Sequence, residues 1–201
     1  MKKIFSLLCL LVCLYTFGQN VEQQIKEIKT IEEAKRFIAT HPNAESEILV
    51  IAPEIESPEI TEIFLNKKIG DVFSKNNNTF KIIDSKIINS FRVSYIFLDG
   101  NKHSMETINN QRSQILQEYK NGTEFSTLAK QYTMDNSPNG DIGWFAEGMM
   151  IKEFETAIKS HKLNNIFTID IPSEKWYYVT LKTFDDKEVK ELTILRVKSN
   201  L

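Results

Sequence analysis

The sequence predicts an α+β protein in which helices cover an antiparallel sheet, with a small mixed region in front of it. Two periodicities and one order of elements carry that prediction. Phe91, Val93, Tyr95 and Phe97 alternate along FRVSYIFL with the period of a half-buried strand, whereas Phe125, Leu128, Ala129 and Tyr132 recur at helical spacing. From Phe91 onward the elements follow in the order β-α-α-β-α-β-β, which ends in adjacent strands rather than in helical crossovers.

The chain opens with MKKIFSLLCLLVCLYTFGQN. Lys2 and Lys3 form a charged start, an apolar run extends from Ile4 to Tyr15, and Thr16-Phe17-Gly18 is a small-x-small cleavage signal. This pattern predicts a signal peptide over residues 1–18, cut after Gly18, and hence an exported, periplasmic or secreted protein. The apolar run is shorter than the roughly 20 residues that span a bilayer, so no transmembrane anchor is expected. Cleavage would remove Cys9 and Cys13, the two cysteines of the chain, which excludes a disulfide scaffold, a CxxC redox site and a thiol nucleophile.

Residues 19–88 read as a small mixed α/β region. Thr30-x-x-Glu33 is a capping box ahead of Ile31, Ala34, Phe37 and Ile38, so a helix runs to His41 and stops at Pro42. Ile48–Ala52 suits a strand between prolines, Pro58 suits the first turn of a short helix through Leu65, and Thr79–Ile83 suits a strand after the turn-rich Lys75–Asn78.

Residues 89–201 hold the more strongly patterned unit. Strand FRVSYIFL closes at the turn Asp99-Gly100-Asn101, and a long helix from Ser104 to Lys120 directs Ile108, Ile115, Leu116 and Tyr119 inward. A second helix opens at Thr123 or Glu124. After a polar loop, Asp135–Asp141, a third helix over Ile151–His161 is expected to bury Phe154 and Ala157. Strands Ile166–Ile171 and Trp176–Lys182 follow, with an extra C-terminal strand over Val189–Val197.

Composition narrows the function. The 25 Lys+Arg and 27 Asp+Glu give a net charge of −2, with no basic stripe to neutralise phosphates, so nucleic acid is not an expected partner. His41, His103 and His161 show no HxxxH or HxH spacing, Asp185-Asp186 reads as a turn, and no glycine loop suits a phosphate, so neither metal nor cofactor is expected.

Residues 125–157 carry three elements in series: Tyr132-Thr133-Met134-Asp135-Asn136-Ser137, then Gly140-Asp141-Ile142-Gly143-Trp144-Phe145, then Gly148-Met149-Met150 with Phe154. The run resembles the parvulin family of peptidyl-prolyl cis-trans isomerases, whose signature is (F/Y)-S-x-(D/C)-x-S, G-D-L-G-W-F and G-x-M-x-x-x-F, and the likeness extends from Val93 to Thr183. It implies a parvulin-like sheet, action on X-Pro bonds of proline-containing unfolded or folding polypeptides, and a proline-ring pocket of Ile142, Met150 and Phe154. Asp135 falls at the family's cysteine-or-aspartate position and Ser173 at the small hydroxyl before the last strand. The family carries histidines in V-x-S-H-I-L and G-(Y/I/W)-H-I-I; the matching segments are Val93-Ser94-Tyr95-Ile96-Phe97 and Trp176-Tyr177-Tyr178-Val179-Thr180. Tyr95 and Tyr178 therefore join Asp135 and Ser173 as candidate catalytic residues.

Plainer readings stand beside these. Met150 and Phe154 suit helix packing, Asp135 suits an Asx-turn, and Tyr95 and Tyr178 suit ordinary strand filling. Rotating an X-Pro bond breaks and makes no bond, so a catalyst needs only a grip on the ring, few donors and surroundings that favour the twisted amide. Tyr95 and Tyr178 on adjacent strands can stack or hydrogen-bond as a histidine pair would. The expected function is prolyl isomerisation that assists folding of exported proteins; the alternative is a catalytically weak or inactive peptide-binding chaperone of the same fold. Lys68–Phe73 leading to Phe80–Ile83 also resembles the closing strands of a parvulin unit, which would make residues 19–88 a truncated half.

Overall fold

The computed structural model describes residues 21–137 and 139–198, and the leader expected over residues 1–18 lies outside them. Two compact units emerge among the described residues: those within 88–189 form one, while 21–87 and 190–198 form the other.

In the first unit, helical residues 21–27 lead to α1 (Ile31–Thr40), β1 (Ser46–Ile51), a 3-10 turn (Pro53–Ile55), α2 (Pro58–Phe64), β2 (Val72–Lys75) and the start of β3 (Asn78–Asp99). The predicted capping box is formed: Glu33 N donates to Thr30 Oγ1 at 3.2 Å and Thr30 N donates to Glu33 Oε2 at 3.1 Å. Between β2 and β3, Asn76 and Asn77 take φ of 49° and 57°, the left-handed pair that a two-residue hairpin turn requires. Strand β7 (Lys187–Lys198) lies between β1 and β3 in this unit, with Leu192 to Val197 set against β1. Its buried Leu192, Ile194 and Leu195 pack with Phe37, Phe64, Phe80, Ile82 and Ile83. The extra C-terminal strand, expected as an addition to residues 89–201, therefore builds mainly the other unit.

The second unit contains the end of β3, α3 (Met105–Lys120), α4 (Phe125–Tyr132), β4 (Asp141–Ala146), α5 (Lys152–Lys159), β5 (Ile166–Ile171) and β6 (Trp176–Lys182). β3 pairs with β6 from Val93 opposite Lys182 to Asp99 opposite Trp176, β4 takes its other edge, and β5 pairs with β6. Alternation then sorts side chains to two faces. Ile96, Leu98, Tyr177 and Val179 meet Ile108 and Ile115 of α3 and Phe125, Leu128 and Ala129 of α4. Phe91 and Val93 meet Phe154 and Ile158 of α5, with Tyr95, Ile142 and Tyr178 at the margin of that cluster.

Three local expectations are revised. The strands expected at residues 79–83 and 91–98 are one strand of 22 residues, because the intervening residues 84–90 hold neither Gly nor Pro to break it. Helix α5 ends at Lys159 and buries Ile158 along with Phe154, leaving Ala157 half-buried. Helix α3 buries Arg112 between Ile108 and Ile115; its guanidinium donates to Ile169 O at 3.0 Å and pairs with Asp170, so the charge is matched where it is desolvated.

Candidate functional site

Register builds the site. Phe97 lies opposite Tyr178 and Tyr95 opposite Thr180, which makes Tyr95 and Tyr178 diagonal neighbours on the α5 face of the sheet. Their ring centroids stand 5.4 Å apart at 80°, an edge-to-face pair. Phe154 rises from α5 beneath both rings, 5.2 Å from Tyr178 and 6.2 Å from Tyr95. The sequence left open stacking or a hydroxyl-to-hydroxyl bond; the tyrosines do neither, meeting edge to face with the Tyr95 hydroxyl turned to other partners.

The Tyr95 hydroxyl is engaged elsewhere. It donates to Asp135 Oδ2 at 2.8 Å and shares a 3.3 Å hydrogen bond with Ser137 Oγ. The other carboxylate oxygen accepts from Thr133 Oγ1 at 2.9 Å and from Ser137 N at 3.0 Å, so Asp135 closes an Asx-turn and holds the phenol at once. Backbone bonds tie this loop to β3: Met134 N donates to Phe97 O and Tyr95 N to Gly140 O, both at 2.9 Å, while Phe97 N donates to Thr133 Oγ1 at 3.1 Å. Gly140 has φ of +72°, and a Cβ there would sit 2.6 Å from Tyr95 O, so the close approach requires glycine.

Burial raises the pKa of both phenols. Desolvation is the main cause at Tyr178, reinforced by the neighbouring Tyr95 and by the Asp135 charge. At Tyr95 burial again leads, the Ser137 hydrogen bond opposes it and Asp135 adds to it. Both groups are therefore protonated donors at neutral pH. Among the described residues the Tyr178 hydroxyl has no protein partner, so its proton is free for a ligand.

A model of the PPIC-type PPIase domain matches residues 72–181, more than half of the chain, and includes every residue just described. The chain belongs to that family. Foldase protein PrsA of Geobacillus kaustophilus is 25% identical over 198 residues, covering 90% of this chain and 62% of the relative. Foldase protein PrsA 3 of Bacillus cereus is 30% identical over 167 residues, 81% of this chain and 54% of the relative. The chain thus spans less than two thirds of the length of these relatives. The crystal structure of the peptidylprolyl isomerase PrsA from Bacillus anthracis shares 27% identity over 50% of this chain and 44% of that one, with a TM-score of 0.40.

Around the tyrosine pair, this PPIC-type domain distributes the other predicted site residues unevenly. Ile142 is half-buried beside the cluster, Phe154 is only 4% exposed and Met150 is 37% exposed. Glu155, absent from the sequence-based site, fixes Met150: its buried carboxylate accepts from Gly148 N at 2.8 Å and Met150 N at 3.0 Å. Ser173 is exposed in the β5–β6 turn at the Trp176 end and, among the described residues, hydrogen-bonds to none of the cluster. Thr133 and Ser137 were also missed as partners, although their placement two residues either side of Asp135 is the spacing that local side-chain turns use.

Proposed function

We propose that the protein is a peptidyl-prolyl cis-trans isomerase acting on X-Pro bonds of exported polypeptides and so assisting their folding. One observation carries the reading: an unspent phenolic donor, Tyr178, stands beside a second phenol fixed by Asp135, with Phe154 and Ile142 packed in the same apolar cluster. The barrier of roughly 20 kcal/mol arises from amide resonance, and a twisted amide has a pyramidal, basic nitrogen. A neutral donor in a partly desolvated cleft hydrogen-bonds that nitrogen better than the planar one, which is stabilisation confined to the transition state. Tyr95, Asp135 and Tyr178 are proposed as the catalytic set; Ser173, exposed in the β5–β6 turn and hydrogen-bonded to none of them among the described residues, is left out of it. The name of the relatives, foldase, supports the setting, as does the leader-like start of the chain.

A second reading has its own observation. Phe154 is almost fully covered, with both tyrosine rings packed on it, and this filling of the ring pocket favours a peptide-binding chaperone with little or no turnover. Isomerisation of a proline tetrapeptide, followed beside peptide binding, separates the two: catalysis above the spontaneous rate supports the enzyme, and binding without it supports the chaperone.

A further inference from the structure

Beyond the tyrosine pair the same sheet face continues. Phe97 lies 5.3 Å from Tyr178, and Trp176 lies 6.4 Å from Phe97, ring centre to ring centre. Neither belongs to a core cluster; Phe97 is half-buried and Trp176 is 37% exposed, so no helix among the described residues seals this end. Along the face the order is Phe154, the two phenols, Phe97, Trp176. Asp99 faces Trp176 across the strands and Lys102 is its cationic partner at 3.7 Å, so a net positive receptor for an anion is missing there.

We infer that Phe97 and Trp176 form the subsite for the residue preceding proline, and that they select apolar and aromatic side chains there over acidic or phosphorylated ones. The inference rests on the isomerase reading for its geometry. With the proline ring against Phe154 and Met150 and the X-Pro amide over the Tyr95–Tyr178 pair, the chain continues away from the ring, and the side chain of X falls on Phe97 and Trp176. Ring stacking on an exposed aromatic shelf is favourable in water, whereas a carboxylate or phosphate would lose hydration beside apolar rings and meet the Asp99 carboxylate. Continuity of the shelf with the proline site, without an intervening charged side chain, argues for a client side chain as its occupant.

The test uses the protein with tetrapeptides that differ only at X, namely Phe, Leu, Ala, Glu and phosphoserine, in two assays: catalysed isomerisation and peptide binding followed by NMR. Expected is a kcat/KM for Phe about tenfold above that for Glu, the discrimination a partly buried ring supplies. In Trp176→Ala and in Phe97→Ala the Phe-to-Glu ratio falls to about twofold. A flat series in the native protein, or a preference untouched by both variants, overturns the inference. If no peptide is isomerised yet binding keeps the same order and both variants erase it, the subsite stands and the enzyme reading fails. A native dimer that Trp176→Ala converts to a monomer in solution scattering identifies the shelf as a self-association face instead, and overturns the proposal.

Discussion

The two faces of the β3–β6 pair differ by one residue of phase and by everything that covers them. Ile96, Leu98 and Val179 are wholly buried under α3 and α4, while Tyr95, Phe97, Tyr178 and Trp176, their immediate chain neighbours, remain partly open above α5. The closed face needs shape and volume; the open face needs donors, rings and room. One short strand pair therefore supplies both the rigid support and the chemistry, because alternation leaves no residue serving two purposes.

Mutations separate the faces by which measurement responds. Leu98→Ala should lower stability by about 3 kcal/mol in urea unfolding, since the cavity opens in a fully packed layer, whereas Phe97→Ala should change it by less than about 1 kcal/mol and register in peptide selectivity instead. Equal losses of stability would erase the contrast. Asp135→Ala comes next: it strands the Tyr95 hydroxyl and opens the loop turn, and should lower stability by about 2 kcal/mol while disordering residues 133–140 in hydrogen exchange. Tyr178→Phe keeps the ring and removes the free donor. It should leave stability within about 0.5 kcal/mol and lower kcat about tenfold, and unchanged turnover would deny the phenol its role. Asp141→Asn, which cuts the Arg92 ion pair at the partly exposed edge of β4, should be the mildest, about 0.5 kcal/mol.

Titration sharpens the same contrast. The cleft holds no imidazole, and burial raises both phenol pKa values, so the protonated donors persist upward in pH. Catalysis should be level from about pH 6 to about pH 9, without the inflection that a histidine near 6.5 would produce. A native pKa above that of the unfolded chain means the native state holds the proton more tightly. The Tyr178 contribution to stability is thus complete below the unfolded value of about 10 and is lost as pH rises past it. Alkaline unfolding should accordingly be less steep in Tyr178→Phe.

Much of this was legible in the residues. The Thr30–Glu33 capping box and the helical stripe of α4 each express a local rule and formed as read, whereas the alternation along β3 marked the strand but not its covered face: Ile96 and Leu98, in the opposite phase to Tyr95 and Phe97, are wholly buried. The motif run singles out the tyrosines, Asp135 and the apolar trio as candidates, and the fold gathers Tyr95, Tyr178, Asp135, Phe154 and Ile142 around one sheet face, with Met150 held apart by Glu155. Partners of charged side chains were harder to see. Arg112 falls four residues after Ile108 and three before Ile115, so spacing alone put it on the buried face, yet a charge reads as solvated until its acceptors, distant in sequence at Ile169 and Asp170, are known. Glu155 was hidden for the same reason, since its acceptor role depends on how the chain from Gly148 to Met150 curls back on α5. The unbroken course of β3 was legible in the negative, through the absence of any residue able to interrupt it.

The Tyr95–Asp135–Tyr178 cluster also sets which reagents can reach the site's function. It contains no soft atom: no sulfur and no unprotonated ring nitrogen is present among its hydrogen-bonding groups. Thiol-directed electrophiles find no thiol in that hydrogen-bonded set, so peroxide damage at this site falls on a neighbour, the thioether of Met150, a residue 37% exposed, whose oxidation makes an apolar surface polar while leaving the phenols unchanged.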